Sequence, residues 1–468
     1  MKKREWPVAY FLFAILIARP ASVQSASAST AQADAPFAAS SEAQSSAQTG
    51  APPATRIEAP KRPAFTFTFT ERIRQETSDN VTSLNDSLPE SSSYVRFRTS
   101  LMGQWRPAEG FELAVRVTNE NRYYLAPKSD PKLHKNYDPN EVFFDNFYLK
   151  WTPGKLPLTI TFGRQDIQLG EGFLFMDGGP LDGSRSAYFN ALRLDFALGG
   201  GATLTGFYLR QPPSDAYLPR LHDVAQKMVE QEEAGFGAYL TGAPGSWNYE
   251  IYLFRKNMEA SDASPRSGFT TTGGRVRIPF AENLSLTAEA ALQTGTYGAL
   301  SRLGWGGYFH LDWKTGASLP FPALLTFGGI YLSGDDLSTA DTYEGWDPAF
   351  SRWPKWSESL IYLLARESRP AYWSNFNSLY ASAQFAFADA VKLNLTWHHL
   401  GAGQRTAPTA LLSGHGTRRG DLGIAKLTYE INKNFQGHFI WDQFRPGDFF
   451  FAGAQSYAWV RFELLIKY

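Results

Sequence analysis

Three short stretches repeat arginine at even spacing. "TERIRQE" carries Arg72 and Arg74, "YVRFRTS" carries Arg96 and Arg98, and "AVRVTNENR" carries Arg116 and Arg122. A guanidinium group is permanently charged and grips a carboxylate through two parallel hydrogen bonds. Rows of arginine select anions, as rows of Asp or Glu select cations. Glu76, Glu112 and Glu120 fall on the same parity as the arginines. One reading is a wall of Arg–Glu pairs that satisfy one another across neighbouring strands. The other is a surface that favours anions, and six arginines against three glutamates decide for it. Arg193, Arg275, Arg277 and Arg461 extend the theme along the chain.

Other chemistries find less support. The chain has no cysteine, which excludes disulfides and thiolate metal sites. Seven histidines are scattered, and His398-His399 in an extended strand would point to opposite faces, so they cannot share one ion. No Ser/His/acid arrangement has local support and no glycine loop fits a phosphate. We expect no catalytic residues, no metal and no cofactor. Asp335, Asp336, Asp341, Glu344 and Asp347 cluster with Trp346, Trp353 and Trp356. Hard cations take such oxygens, but the spacing matches no defined calcium loop, and the segment reads as a solvated outer loop. Lys plus Arg and Asp plus Glu each number 45, so nothing argues for nucleic acid.

The elements that must carry these arginines are strands. In "FTFTFTERIRQE", Phe65, Phe67, Phe69 and Ile73 alternate with Thr66, Thr68, Thr70, Arg72, Arg74 and Glu76. A period of two places alternate residues on opposite faces of a sheet. In a soluble sandwich the Phe face would be the core; in an outer-membrane barrel it faces lipid and the arginines face a wet lumen. Eighteen segments of about ten residues follow this pattern to the C-terminus, those near 202–210 and 234–241 readable in either parity. The connections decide between the two architectures, because long and short ones alternate. "TSDNVTSLNDSLPESSS" is long and "RPAEG" short; the segment from Tyr123 to Asn140 is long and "TPGK" short; 211–233 is long and "GAPGS" short. The alternation weakens near 294–301 and then recovers. A barrel with short periplasmic turns and long outer loops has this rhythm. A mean hydropathy of −0.31 with 35 Phe, 22 Tyr and 13 Trp suits a sheet apolar on one face and wet on the other. The expected fold is therefore an all-β transmembrane antiparallel barrel of about 18 strands over residues 65–468.

Residues 1–28 read as a secretory signal: a basic start, an apolar stretch from Trp6 to Ile17, and small residues around Ala26-Ser27-Ala28. Residues 29–64, rich in Ala, Ser and Pro, read as a disordered periplasmic lead. The last strand, "AWVRFELLIKY", puts Val460, Phe462, Leu464, Ile466 and Tyr468 on one face. An apolar strand closing on a terminal aromatic resembles the signal read by barrel-assembly machinery, the expected partner of Tyr468.

"FTERIRQE", "YVRFRTSL", "DNFYLKWTP", "TITFGRQDIQLGEG", "DGSRSAYFNALRLDF" and "GGIYLSGDD" together resemble the alginate export family of outer-membrane barrels, over nearly all of 65–468. The resemblance implies a monomeric barrel of eighteen strands, with an arginine-rich constriction through which an acidic polysaccharide leaves the periplasm; periplasmic export partners are an expectation that the chain itself does not carry. It gives that role to Arg72, Arg74, Arg96, Arg98, Arg116, Arg164 and Arg193. Arg164 breaks the parity set by Leu158, Ile160 and Phe162, which points to a bulge at Gly163 turning it inward. Two further readings stand beside export. One is an anion-preferring porin for uptake; the other is a plugged barrel whose loops bind partners.

Overall fold

The computed structural model describes residues 64–88, 90–127, 137–176, 189–219, 229–316, 322–351, 356–368 and 372–468. The leader expected at 1–28 and the lead at 29–64 lie outside these residues, Ala64 excepted. Among the described residues eighteen strands form one closed antiparallel barrel. They are β1 (Phe65–Asp79), β2 (Ser92–Trp105), β3 (Phe111–Ala126), β4 (Tyr137–Trp151), β5 (Leu158–Gln165) and β6 (Phe189–Gly199). Next come β7 (Ala202–Gln211), β8 (Glu233–Gly242), β9 (Asn248–Met258), β10 (Ser267–Ala281), β11 (Leu284–Tyr297) and β12 (Leu300–Lys314). The wall ends with β13 (Ala323–Leu332), β14 (Phe376–Ala388), β15 (Val391–Gly401), β16 (Arg418–Asn432), β17 (Phe435–Pro446) and β18 (Tyr457–Lys467).

Each strand pairs with its neighbours in sequence, and β1 pairs with β18 from Thr70–Lys467 to Asp79–Ala458. Backbone bonds between Phe69 and Tyr468, at 2.8 and 2.9 Å, finish the seam. Closure leaves no sheet edge, the condition for strands to cross a bilayer. The phenylalanines face out: Phe65 and Phe67 are 57% and 69% exposed, while Arg74 and Glu76 are each 1% exposed. Stacked pairs Phe65–Trp105 and Phe111–Trp151 mark the rim beside the short turns, as the aromatic girdle of an outer-membrane barrel does. The chain is thus a multi-pass β-barrel of a Gram-negative outer membrane.

Turns at 106–110, 152–157, 200–201, 243–247, 282–283, 389–390 and 433–434 lie at the rim that also holds Phe65 and Lys467. Connections 80–91, 166–188, 212–232, 333–375, 402–417 and 447–456 lie at the other. The weak point near 294–301 is the two-residue turn 298–299, short although it belongs to the outer rim; Gly298 at φ +61° makes it. The long connection expected from Tyr123 to Asn140 is shorter, because β3 runs on to Ala126 and β4 begins at Tyr137.

Two outer connections fold inward. Short strands at Gln168–Leu169, Phe175–Met176 and Phe350–Ser351 form a small separate sheet joining 166–188 to 333–375. Phe175 packs edge-on against Phe207 of β7 and Phe254 of β9, both at 4.9 Å. This packing settles the two ambiguous strands. Leu204, Tyr208 and Phe236 face lipid, while Phe207, Leu209 and Tyr239 face inward. Both faces are apolar because the inner face covers a folded connection instead of water.

Lipid-facing polarity can be tested. Leu253 is 55% exposed at mid-height on β9. Leu253→Arg is expected to destabilise the barrel by about 2–4 kcal/mol, measured by urea titration of refolding into vesicles; an unchanged midpoint would place Leu253 away from lipid.

Candidate functional site

Alternation brings the arginines of β1, β2, β3 and β18 to one inner wall. Register sets like beside like: Arg74 lies opposite Arg96 and Arg72 opposite Arg98, and Arg96 opposite Arg122. Like charges directly opposite are destabilising, so the wall needs interleaved acids. Glu76 lies opposite Arg461 and Glu463 opposite Arg74, and Glu120 lies opposite Arg98. Arg461 reaches Glu76 at 3.3 Å. Arg96 sits 3.6 Å from Glu76 and 3.7 Å from Glu120. Arg74 pairs with Glu463, which also meets His438 at 3.3 Å. The Tyr94 hydroxyl donates to Glu76 at 2.8 Å, and the Arg96 and Arg122 guanidiniums lie over its ring at 5.2 and 5.4 Å.

The file descends toward the short-turn rim through Arg98 to Arg116. Asp145, 1% exposed, joins them: Arg98 reaches it at 3.3 Å, Arg116 pairs with it, and the Thr118 hydroxyl donates to it at 2.9 Å. Arg116 also meets Asp166 at 2.9 Å, and its side chain keeps 25% exposure. Sequence reasoning missed Asp145 because β3 and β4 shift register between Arg116 and Val117. The bulge turns both Asp145 and Asn146 inward (1% and 2% exposed). Two polar residues in succession within "VFFDNFYL" were the available signal.

Other expected residues stand elsewhere. Arg164 is 3% exposed and held by a two-pronged pair with Asp215, at 2.6 and 3.0 Å, with a third bond to the Phe144 carbonyl at 2.8 Å. The bulge expected at Gly163 is not there. Pairing runs one-to-one from Trp151–Ile160 to Phe147–Arg164. Gly163 instead turns the chain through φ +122°, and a Cβ on it would meet the Phe147 carbonyl oxygen at 2.3 Å. Arg193 pairs with Asp195 at 2.9 Å on β6. Arg277 lies opposite Asn248 and Thr287.

Arg275 belongs to the opposite wall, since β10 is nine strands from β1 around the ring. That wall carries carboxylates capped by tyrosines. Tyr239 donates to Glu250, while Tyr252 and Tyr308 donate to the two oxygens of Glu289 at 3.0 and 2.9 Å. Arg275 pairs with Glu250 and meets Glu171 at 3.4 Å. Glu171 comes from the inward connection and also lies 3.2 Å from His310, whose other ring nitrogen meets Asp312 at 2.8 Å. Gly170 lets that connection sit this close, because a Cβ there would stand 2.5 Å from a Glu250 oxygen.

The acidic segment divides: residues 337–341 are exposed, as a solvated outer loop should be, whereas its end is buried. Trp346 and Asp347 are each 1% exposed. Lys256, itself 1% exposed, lies 3.2 Å from both Asp347 and Glu233 and donates to the Ala349 carbonyl at 2.7 Å. Arg302 lies 3.9 Å from Asp347, and the Tyr372 hydroxyl donates to it at 3.1 Å. Among the described residues no group of acids and histidines is placed to hold a metal. At the far end of the same connection Glu358 pairs with Arg461. There Ser359 donates to Asp442 at 2.6 Å and lies 3.0 Å from the Tyr457 hydroxyl.

No family model matches the sequence and no curated protein matches it. Solved structures do. Acinetobacter baumannii OccAB4 shares 11% identity over 87% of this chain and 99% of its own, with a TM-score of 0.58. A BenF-like porin from Pseudomonas fluorescens Pf-5 shares 12% over 86% and 98%, with a TM-score of 0.56. Pseudomonas aeruginosa OccK2 (OpdF), in complex with glucuronate, shares 11% over 86% and 97%, with a TM-score of 0.55. At these identities the likeness is one of fold. It fits the outer-membrane barrel that the motifs implied and does not extend to the alginate export family.

The anchor at Asp347 carries a prediction. Lys256→Met leaves Glu233 and Asp347 buried without their ammonium group, and is expected to cost about 3–5 kcal/mol. Urea titration reads the loss, and limited proteolysis within 333–375 should accelerate; an unchanged midpoint would assign the anchoring to the surrounding aromatic packing.

Proposed function

We propose that this chain is an outer-membrane channel of the porin kind, which takes up small carboxylate-bearing solutes by passive electrostatic guidance. The observation that carries the proposal is the file of Arg96, Arg98 and Arg116 on one wall, with acids interleaved and a tyrosine-capped carboxylate wall opposite. A solute carboxylate exchanges with Glu120 or Asp145 for a guanidinium partner and passes to the next. Interleaved acids keep each site weak, and conduction needs sites that release as readily as they bind. No bond is made or broken. Support comes from two proteins of the same fold: OccK2 was solved with glucuronate and Pseudomonas aeruginosa OpdK with vanillate, both carboxylates.

The motif resemblance favours a second reading, export of an acidic polysaccharide. Against it stand the inward connections at 166–176 and 333–351, which pack against the wall around Phe207 and Phe254 and narrow the interior. A small solute suits that interior better than a polymer. A plugged barrel that binds partners through its loops is the third reading, and conduction separates it from the other two.

The test is single-channel recording of the refolded mature chain, with glucuronate or an oligo-uronate added on one side. Glucuronate-sensitive, anion-selective current is expected. Arg96→Ala with Arg98→Ala should reduce the anion-to-cation permeability ratio by about tenfold, allowing about 1 kcal/mol per charge in water and screening by salt. Block by the oligo-uronate alone would favour export, and silence would leave a plugged barrel.

A further inference from the structure

The outer surface carries a second arginine cluster that the channel does not use. His399 on β15, Asp421 on β16 and Arg445 on β17 form one row: His399 lies opposite Asp421, and Asp421 opposite Arg445. Arg418 joins them by pairing with Asp421. The row faces away from the lumen. His399 follows the parity of Leu395 and Trp397 (44% and 52% exposed), whereas its neighbour His398 is 3% exposed. Arg418 and His399 side chains are 48% and 47% exposed, and Arg445 is exposed.

Height decides what this row meets. Arg445 stands ten residues up β17 from Phe435 at the short-turn rim. That is about 26 Å along the membrane normal for a strand tilted by about 40°. The apolar band of such barrels is about 25 Å tall. Outward Trp441, 47% exposed, lies four residues below Arg445, and Trp397 lies two below His399. The arginines therefore sit at the outer edge of the band, level with lipid headgroups.

Charge decides what binds there. The Asp421 carboxylate is engaged by Arg418 and, at 2.8 Å, by His399. Asp448 accepts the Arg418 backbone N–H at 2.9 Å. Arg445 has no carboxylate partner among the described residues. Guanidinium groups bind phosphate oxygens in the same fork that suits carboxylates. We propose that Arg445 and Arg418, above Trp441 and Trp397, form a docking site for the phosphate of a phosphorylated lipid headgroup in the outer leaflet, the tryptophans lying along its acyl chains.

Native mass spectrometry of the full mature barrel tests this, with lipid A and its chemically dephosphorylated form as probes. Preferential retention of the phosphorylated form is expected. Arg418→Gln with Arg445→Gln should abolish that preference, each arginine contributing about tenfold, the scale of one charge-assisted contact. Heat-modifiable gel mobility and single-channel current of the variant should match the parent, which confirms an intact barrel. Equal retention of both lipid forms, or a preference that survives in the double variant, would overturn the proposal. So would displacement of all bound lipid A from the site by inorganic phosphate with no change on mutating Arg445.

Discussion

A bilayer offers the peptide group no hydrogen-bond partner, and this constraint shapes every level of the molecule. The sheet must close, so β1 meets β18 and the Phe69–Tyr468 bonds seal the last gap. Closure with an even number of strands returns the chain to the rim where it entered. Every spanning strand must then offer lipid an apolar residue at each second position. The remaining positions are released from that demand. Arginine can occupy them at a density no lipid-facing surface would tolerate, which is why one strand can carry Phe67 and Arg72 five residues apart.

Freedom from lipid does not make buried charge cheap. Arg74, Arg96 and Arg461 are each at most 3% exposed, and register sets arginine against arginine across three strands. The wall holds because its acids arrive from the flanking strands: Glu463 from β18, Glu76 from within β1, Glu120 from β3, and Asp145 through the bulge in β4. The opposite side of the barrel meets the same difficulty differently. There the inward connections bring an aromatic core, with Phe173, Phe175, Trp346 and Phe350 against the wall, and the carboxylates survive burial by accepting tyrosine hydroxyls. The interior therefore carries an arginine–acid side and an aromatic-packed side, and residues 358–364 of the long connection pack across to the former.

The alternation of apolar and polar residues and the rhythm of connection lengths made the barrel legible in the sequence. They worked because lipid enforces the first, and because only one rim has to stay tight. The arginines of β1 to β3 and Arg461 were legible for the same reason, since parity alone puts them on one wall. What escaped were departures from parity. Asp145 turns inward only through a register shift that composition does not announce. The inward turn of Arg164 at Gly163, which the parity did show, is made by a positive φ and not by the expected bulge. The inward fold of 166–176 and 333–351 was also hidden. Its acids and tryptophans have the composition of a solvated loop, and only Lys256 and Arg302, distant in sequence, convert Asp347 into an anchor. The two strands of ambiguous parity were the visible trace of that fold: an inner face as apolar as the outer one has something other than water to cover.

The connection 333–375 touches both sides of the interior. At Asp347 it is held by Lys256 and Arg302, and by Gln293 through the main chain. Toward its other end it is held by Glu358 on Arg461, Ser359 on Asp442 and Glu367 on Arg419, with Ile361, Leu363 and Leu364 buried between them. Displacement of residues 358–359 would part the Glu358–Arg461 pair and the Ser359–Asp442 bond. It would also change the wall it leaves, because Arg461 would keep Glu76 as its acid while Glu76 is already shared with Arg96. Removing Glu358 thus raises the positive charge of the wall by one at the moment the interior widens.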